Sequence, residues 1–424
     1  TLILLLKMEK LNSNIMKSSD QKLLKTLIDK YDKSKDKKFY SLVGEPFIKE
    51  DIIAGIETLL SGRITMSSIT KKFEQKFAKY IGSKHALMVN SGSSANLLAV
   101  FSLINPKNRN QLRPNDECLI PAICWSTSLW PIVQAGLKPK FIDVDIDNFN
   151  IDLKKIEQKI TSKTKAIMAV HVLGNSTKMI ELMKIVKKYN LTLIEDTCES
   201  LGSKFKNKFL GTFGKFGTYS FYVSHQLIAG EGGMLVCNDY NDYKIAHSLR
   251  AHGWDRGLKQ NQNTEFNFIN SGFNLRPLDL TAAIGLNQLK RLNKLINIRT
   301  NNRNKIVDSI LKSPKWDNQF TFLHAQENLK PSWFGIPILL NSKFLKNKIK
   351  FLKRLNANGI ETRPIISGNF LNQPSINLYN LNKAKEKFPV AQDIENRGFF
   401  IGLHTKNIEE KELIKLTNNL LSVN

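Results

Sequence analysis

The sequence predicts an α/β chain in which a large domain with a mostly parallel sheet precedes a smaller α+β domain. Three observations carry this. Short apolar runs alternate with helical stretches, those runs are continuous rather than alternating, and the pattern changes near residue 290. Continuous apolar strands are buried on both faces, as in a parallel sheet covered by two layers of helices.

The elements follow in order. Residues 16–40 are rich in Lys and Asp and read as an exposed helix or arm, so 1–45 is expected as an N-terminal extension. Met8 or Met16 reads as the start, and the first residues are set aside. EDIIAGIETLLSG, from residue 50, is a helix closed by a glycine. MSSITKKFEQKFAKYIGS gives a second helix, with Ile69, Phe73, Phe77 and Ile81 on one face and a serine cap before it. Strands are then expected at ALMVN (86–90), ECLIPA, KPKFIDVDI, KAIMAVHVLG and LTLIEDTC. The helices between them are SANLLAVFSLI, WSTSLWPIVQAG, DLKKIEQKI and MIELMKIVKKY. The large domain is expected over 46–290. RLNKLINIRTNNRNKIVDSIL is one long helix that opens the small domain, 291–424.

Composition narrows the class. Lys+Arg 63 against Asp+Glu 37 gives a charge of +26, but the lysines are spread along the chain. Dispersed charge reads as solvated faces, not a nucleic-acid patch, with affinity for small anions as the weaker implication. No apolar run approaches the ~18 residues of a membrane span. Cys118, Cys124, Cys198 and Cys237 are scattered without a CxxC pair, which predicts a reducing, cytoplasmic compartment and no metal site.

Three stretches could carry chemistry. NSGSSAN (90–96) joins a strand to a helix, and its small residues let N–H groups meet a phosphate, although any such turn favours Ser and Gly. LIEDTCES (193–200) ends a strand in adjacent carboxylates at the sheet edge where α/β folds place ligands. A carboxylate there is either a helix cap or the partner that keeps a pyridine nitrogen protonated. SFYVSHQLIAGEGG (220–233) sets a lone His225 between a strand end and a glycine-rich run, with no second ligand at metal spacing. A lone histidine is more often structural than catalytic.

Taken together, NSGSSAN, ICWSTSLWP, IEDTCESLG, GTFGKFGTYSFYVSH…GEGG and SGFNLRPLDLTAAIGLNQL resemble the DegT/DnrJ/EryC1/StrS sugar aminotransferases, from about residue 45 to the C-terminus. The resemblance implies a fold-type I pyridoxal-phosphate enzyme, homodimeric, with active sites at the subunit interface. It implies that Gly92, Ser93 and Ser94 hold the cofactor phosphate with Ser220 beside them, and that Trp125 stacks on the ring. Asp196 would pair with the pyridine nitrogen and Glu199 would lie close by. Asn274 would reach the phosphate of the partner subunit's site.

Where the family's aminotransferases have a lysine that condenses with the cofactor, this chain has His225. An imidazole has no primary amine, so the cofactor is expected to be held non-covalently, as pyridoxamine phosphate in the working form. The imidazole can still move protons. The family branch with this replacement is the sugar 3-dehydratases. One sub-branch carries an iron–sulfur cluster, but LRAHGWDRGLKQNQNTEF lacks its bunched cysteines and Cys198 alone cannot hold a cluster. The cluster-free sub-branch, matched by LRAHGWDR, PSWFGIPILL, ETRPIISGNFLNQPSI and NRGFFIGLH, implies a GDP-linked 4-keto-6-deoxymannose as substrate and L-glutamate as amino donor. Gln226 departs from it, standing where that sub-branch has a second histidine. An aminotransferase working without the lysine and a catalytically silent cofactor binder are the rival readings.

Substrate contacts complete the expectations. Arg250, His252 and Arg256 form a cationic stretch suited to a diphosphate or, equally, a solvated basic loop. Arg363 and Asn369, in TRPIISGN, are expected to face the nucleotide sugar, and Trp333 and Phe334 read as core aromatics.

Overall fold

The structure, a computed structural model, describes residues 16–31, 38–258, 266–382 and 384–423; Met8 and residues 259–265 lie outside that range. The apolar runs do form strands. β1 (His85–Val89), β2 (Glu117–Pro121), β3 (Lys138–Ile142), β4 (Thr164–Val170) and β5 (Thr192–Asp196) are followed by a short hairpin, β6 (Lys204–Phe205) and β7 (Lys208–Phe209). Then come β8 (Phe216–Ser220) and β9 (Gly233–Cys237).

Seven of these make one sheet in the order β1-β9-β8-β5-β4-β2-β3. All its neighbours pair in parallel except β9, which runs antiparallel to β1 and β8. Every residue of β8 and β9 is buried, as expected for strands covered on both faces. The carboxyl ends of β1, β4, β5 and β8 therefore open on one edge of the sheet.

The helices follow the sequence pattern, with one correction. Ser67 precedes the helix Ser68–Ile81, but its side chain makes no cap bond. The cap comes from Asp279, at the start of the helix Asp279–Leu289. Its Oδ1 accepts from Ser67 N and Thr70 N, each at 2.9 Å, and from Thr70 Oγ1 at 2.6 Å. A carboxylate satisfies several first-turn donors at once, which one hydroxyl cannot. Asp279→Ala removes these bonds from a buried site, and we expect a loss of about 1–3 kcal/mol, read as a lowered denaturation midpoint at unchanged slope.

The small domain is built on an antiparallel sheet of β10 (Phe320–Phe322), β12 (Ile336–Leu340), β13 (Thr362–Arg363) and β14 (Gly398–Ile401), while β11 (Leu329–Lys330) joins the β6–β7 hairpin. The four strands lie in the order β10-β12-β14-β13. The long helix Leu292–Leu311 begins just past the expected boundary.

The N-terminal segment holds an exposed helix, and the residues from 38 on are tied down. The helix Ser18–Tyr31 carries mostly exposed residues, but Tyr40 is buried and stacks on His404 at 4.2 Å. Tyr40 N donates to Gly359 O, Glu361 N donates to Tyr40 O, and Leu42 N donates to Glu361 Oε2. Residues 38–46 thus run along the small domain. All four cysteines are free thiols, and among the described residues no helix is long and apolar enough to cross a membrane.

Candidate active site

The site is assembled from strand ends. After β1 the chain turns at Asn90–Ser91 into the helix Gly92–Leu103, where Ser91 Oγ accepts from Ser94 N at 3.1 Å. The N–H groups of the first turn, those of Gly92 and Ser93 among them, have no intrahelical acceptor. Backbone packing brings this turn close to β8. A Cβ on Gly92 would stand 2.6 Å from Ser220 Cβ and 2.9 Å from Cys198 Sγ. From the other side, a Cβ on Gly233 would meet Ser91 O at 2.3 Å and Gly92 N at 2.6 Å. The glycines of both motifs therefore let a helix N-terminus meet the Ser220 hydroxyl, the donor set that a phosphate dianion takes.

β5 ends in the two carboxylates. Glu195 is buried and turned away from the cavity, accepting from Gly211 N, Phe213 N and Gly214 N and lying 3.1 Å from His171 Nε2. Asp196 lines the cavity. Its Oδ2 accepts from Asn96 Nδ2 at 2.8 Å and Ser128 Oγ at 2.7 Å, and its Oδ1 accepts from Cys198 N at 3.2 Å. Three donors on one buried carboxylate fix its position and its aim. Glu199 sits one turn on, with Leu173 N donating to its Oε2 at 3.0 Å. Burial pushes its pKa up to about 8, and the nearby Asp196 adds to the shift.

His225 follows the end of β8. Its Nδ1 lies 3.4 Å from Ser224 Oγ, and its ring meets that of Phe334 edge-on at 5.1 Å. Burial first, and the Arg299 guanidinium second, lower its pKa to about 3, so the ring is neutral at neutral pH.

These groups share one cavity of about 680 Å³. Gly92, Ser93, Trp125, Asp196, Glu199, Ser220 and His225 all line it, and Arg363 closes it from the small domain. Trp125 is 56% exposed, its ring free to lie over a ligand. The volume falls within the range of cofactor and small-molecule sites. The fit to pyridoxal phosphate rests on the chemistry of the donor set: a helix N-terminus with a hydroxyl at one end, and a held carboxylate at the floor.

Other expected residues are placed elsewhere. Ser94 is buried and donates to Asn90 Oδ1 at 2.5 Å. Arg250 is corrected from diphosphate ligand to structural arginine: it is 3% exposed, and its Nη1 donates to Glu74 Oε1 at 2.6 Å and Met88 O at 2.8 Å. A guanidinium this buried, outside the cavity lining, does not reach a ligand there. Asn369 is likewise structural; its Oδ1 caps a short helix at Leu371 N and its Nδ2 donates to Gln392 Oε1. His252 and Arg256 are exposed outside the cavity, and the Arg256 guanidinium lies over the Trp254 ring. Asn274 is also exposed and outside it, its Oδ1 accepting from Arg276 Nε. Phe334, expected as a core aromatic, is buried and also lines the cavity.

Several wall residues carried no signal of their own. Ser41–Gly44 and Pro46 come from the N-terminal segment, and Glu361 from beside β13. Asn96 and Ser128, the donors on Asp196, stand inside the quoted motifs NSGSSAN and ICWSTSLWP, where a polar residue facing back from a helix could have been sought.

A model of the DegT/DnrJ/EryC1/StrS aminotransferase family matches residues 46–420. The chain belongs to this family. A relative from Escherichia coli O55:H7, "GDP-4-keto-6-deoxy-D-mannose 3-dehydratase", is 38% identical over 361 residues, covering 82% of this chain and 91% of the relative. Among solved structures, a point mutant of GDP-4-keto-6-deoxymannose-3-dehydratase with bound GDP-perosamine superposes with a TM-score of 0.83 at 34% identity, covering 90% of this chain and all of that one. The structure with a trapped PLP-glutamate geminal diamine gives 0.81 at 34% identity, with the same coverage. The family's fold, a mostly parallel α/β domain with a smaller α+β domain, is the fold seen here.

Proposed function

We propose that the protein is a pyridoxamine-phosphate-dependent 3-dehydratase of a nucleotide-linked 4-keto-6-deoxyhexose, GDP-4-keto-6-deoxymannose, with L-glutamate restoring the amine. It would supply a 3,6-dideoxy sugar to surface-polysaccharide synthesis in the cytoplasm. The single observation that carries the reading is an imidazole, His225, where a covalent enzyme needs a lysine, in a cavity that is otherwise furnished for the cofactor. Relatives of that name, one with bound PLP and glutamate, support it.

When bound, pyridoxamine phosphate supplies the amine that joins the keto carbon and the ring that draws electrons from it. The chain does the rest. Gly92, Ser93 and Ser220 hold the phosphate, Trp125 covers the ring face, and Asp196 keeps the ring nitrogen protonated through charge pairing. His225, neutral at working pH, takes a proton as general base and returns it to the departing C3 hydroxyl. Glu199, with its raised pKa, stays protonated near neutrality and presents a neutral acid to the same cavity. Arg363, exposed at the mouth with a loose 3.8 Å ion pair to Glu361, is the cation placed to meet a phosphate.

The active form is a homodimer, in which Asn274 completes the partner subunit's phosphate site. Its exposure outside its own cavity, on a segment that also exposes Leu278, supports this.

The overall conversion of glutamate and the 4-keto sugar yields 2-oxoglutarate, ammonia and the 3-deoxy sugar, which balances in oxygen and hydrogen. We expect ammonia and 2-oxoglutarate to appear in equal amounts when the purified protein receives pyridoxal phosphate, L-glutamate and GDP-4-keto-6-deoxymannose. 2-Oxoglutarate without ammonia would mark an aminotransferase and overturn the reading.

A further inference from the structure

Next to His225 stands Gln226, 1% exposed. Its Nε2 donates to two main-chain carbonyls, Glu199 O at 2.6 Å and Ser332 O at 2.9 Å. Neither acceptor can donate, so position 226 must supply two N–H groups from one place. The amide does so, which fixes its orientation, and Oε1 is left buried without a partner. A buried polar atom left unpaired is costly, so the two bonds on the other side of the amide must matter to the fold or to the site.

The two carbonyls belong to the walls on either side of the imidazole. One is Glu199, whose carboxyl is held by Leu173 N. The other begins the run 332–334, in which each carbonyl is taken: Ser332 O by Gln226, Trp333 O by Arg299 Nε at 3.1 Å, and Phe334 O by Arg299 Nη2. Phe334 N donates to Leu173 O at 3.2 Å, and its ring faces His225. A Cβ on Gly174 would stand 2.4 Å from Ser332 O, so the walls are already in backbone contact there. The links close a ring through Gln226, Glu199, Leu173, Phe334 and Ser332.

We propose that Gln226 is a positioning residue that clamps the Glu199 wall to the Ser332–Phe334 wall around His225, fixing both side chains and closing the wall behind them to water. This rests on the dehydratase reading. It also gives a reason for an amide beside the catalytic base, since a carboxylate could donate to neither carbonyl and one imidazole nitrogen could serve only one.

The clamp has a titration signature. Burial is the largest cause of both the lowered pKa of His225 and the raised pKa of Glu199. Facing His225 are the Arg299 charge, the Tyr222 carbonyl and ring, the Ser224 hydroxyl and the Phe334 ring. Facing Glu199 are Asp196 and the Leu173 N–H, and the cavity's other charged groups are Glu231, Glu361 and Arg363. Admitting water raises the first pKa towards its ordinary value and lowers the second. A base must be neutral and an acid protonated, so the range of active pH narrows from both ends.

The test compares full-length wild type with Gln226→Ala, Gln226→His and Gln226→Glu, measuring kcat and KM against pH and binding of pyridoxal phosphate by absorbance. For Gln226→Ala we expect kcat down about tenfold at neutral pH, KM for the nucleotide sugar within about twofold, and a narrowed profile. Gln226→His should fall between, and Gln226→Glu should be the most impaired. A Gln226→Ala protein with the wild-type profile and only a lower Tm, or Gln226→Glu as active as wild type, overturns the proposal. If Gln226→Ala does not fold, an unshifted profile in Gln226→His overturns it. If wild type yields no deoxygenated sugar, the dehydratase reading has failed by itself. The clamp is then judged by the pH dependence of pyridoxal phosphate binding, which Gln226→Ala should shift and which an unshifted curve would contradict.

Discussion

His225→Asn should lower the rate of C3 deoxygenation by about 10²–10⁴ while pyridoxal phosphate still binds. Asparagine keeps a polar group against Ser224 and Phe334 but cannot carry a proton between carbon and oxygen. The proposed phosphate and ring contacts lie on other elements of the cavity wall, at Gly92, Ser220 and Asp196, so cofactor affinity should change little. Single-turnover kinetics on protein loaded with pyridoxamine phosphate separates the two. His225→Lys is the sharper variant, because it restores the amine that the rest of the family uses. If that variant dehydrates at the full rate, His225 is not the base.

The second large effect falls on Asp196. Asp196→Asn puts an amide where Asn96, Ser128 and Cys198 N all donate, so at least one donor loses its acceptor and the ring nitrogen loses its counter-charge. Hydrogen bonds to charged groups contribute about 1.5–3 kcal/mol, so we expect cofactor affinity to fall about 10–100-fold. The rate on saturated protein should fall as well, since an unprotonated ring draws electrons poorly. A titration of the apo-protein with pyridoxal phosphate measures the first, and unchanged affinity would remove Asp196 from the cofactor site.

The parts of the candidate site that lie at strand ends were legible in the sequence. A strand that ends in Asp196 or Ser220, or turns through Gly92 into a helix, states both its position and its direction. Direction is what failed for Arg250. It falls in the last turn of the helix Tyr240–Arg250, and its charge suggested a ligand, but its partner Glu74 is 176 residues away and had no mark of its own. The Asp279 cap on the helix Ser68–Ile81 failed for the same reason: a local serine gave a sufficient explanation where a distant carboxylate does the work. The cavity wall at residues 41–46 escaped notice because it is made by backbone pairing to the small domain, which short-range pattern does not encode. Gln226 was visible as a departure, and only the two carbonyls around it give it a role.

The measurement that tests the central claim most directly is the mass of the sugar product. Wild-type protein with pyridoxal phosphate, L-glutamate and GDP-4-keto-6-deoxymannose should give a nucleotide sugar lighter by one oxygen and carrying no nitrogen from glutamate, followed with ¹⁵N-labelled donor. A product in which labelled nitrogen replaces the keto oxygen would show that a chain with His225 transaminates, and would contradict the account.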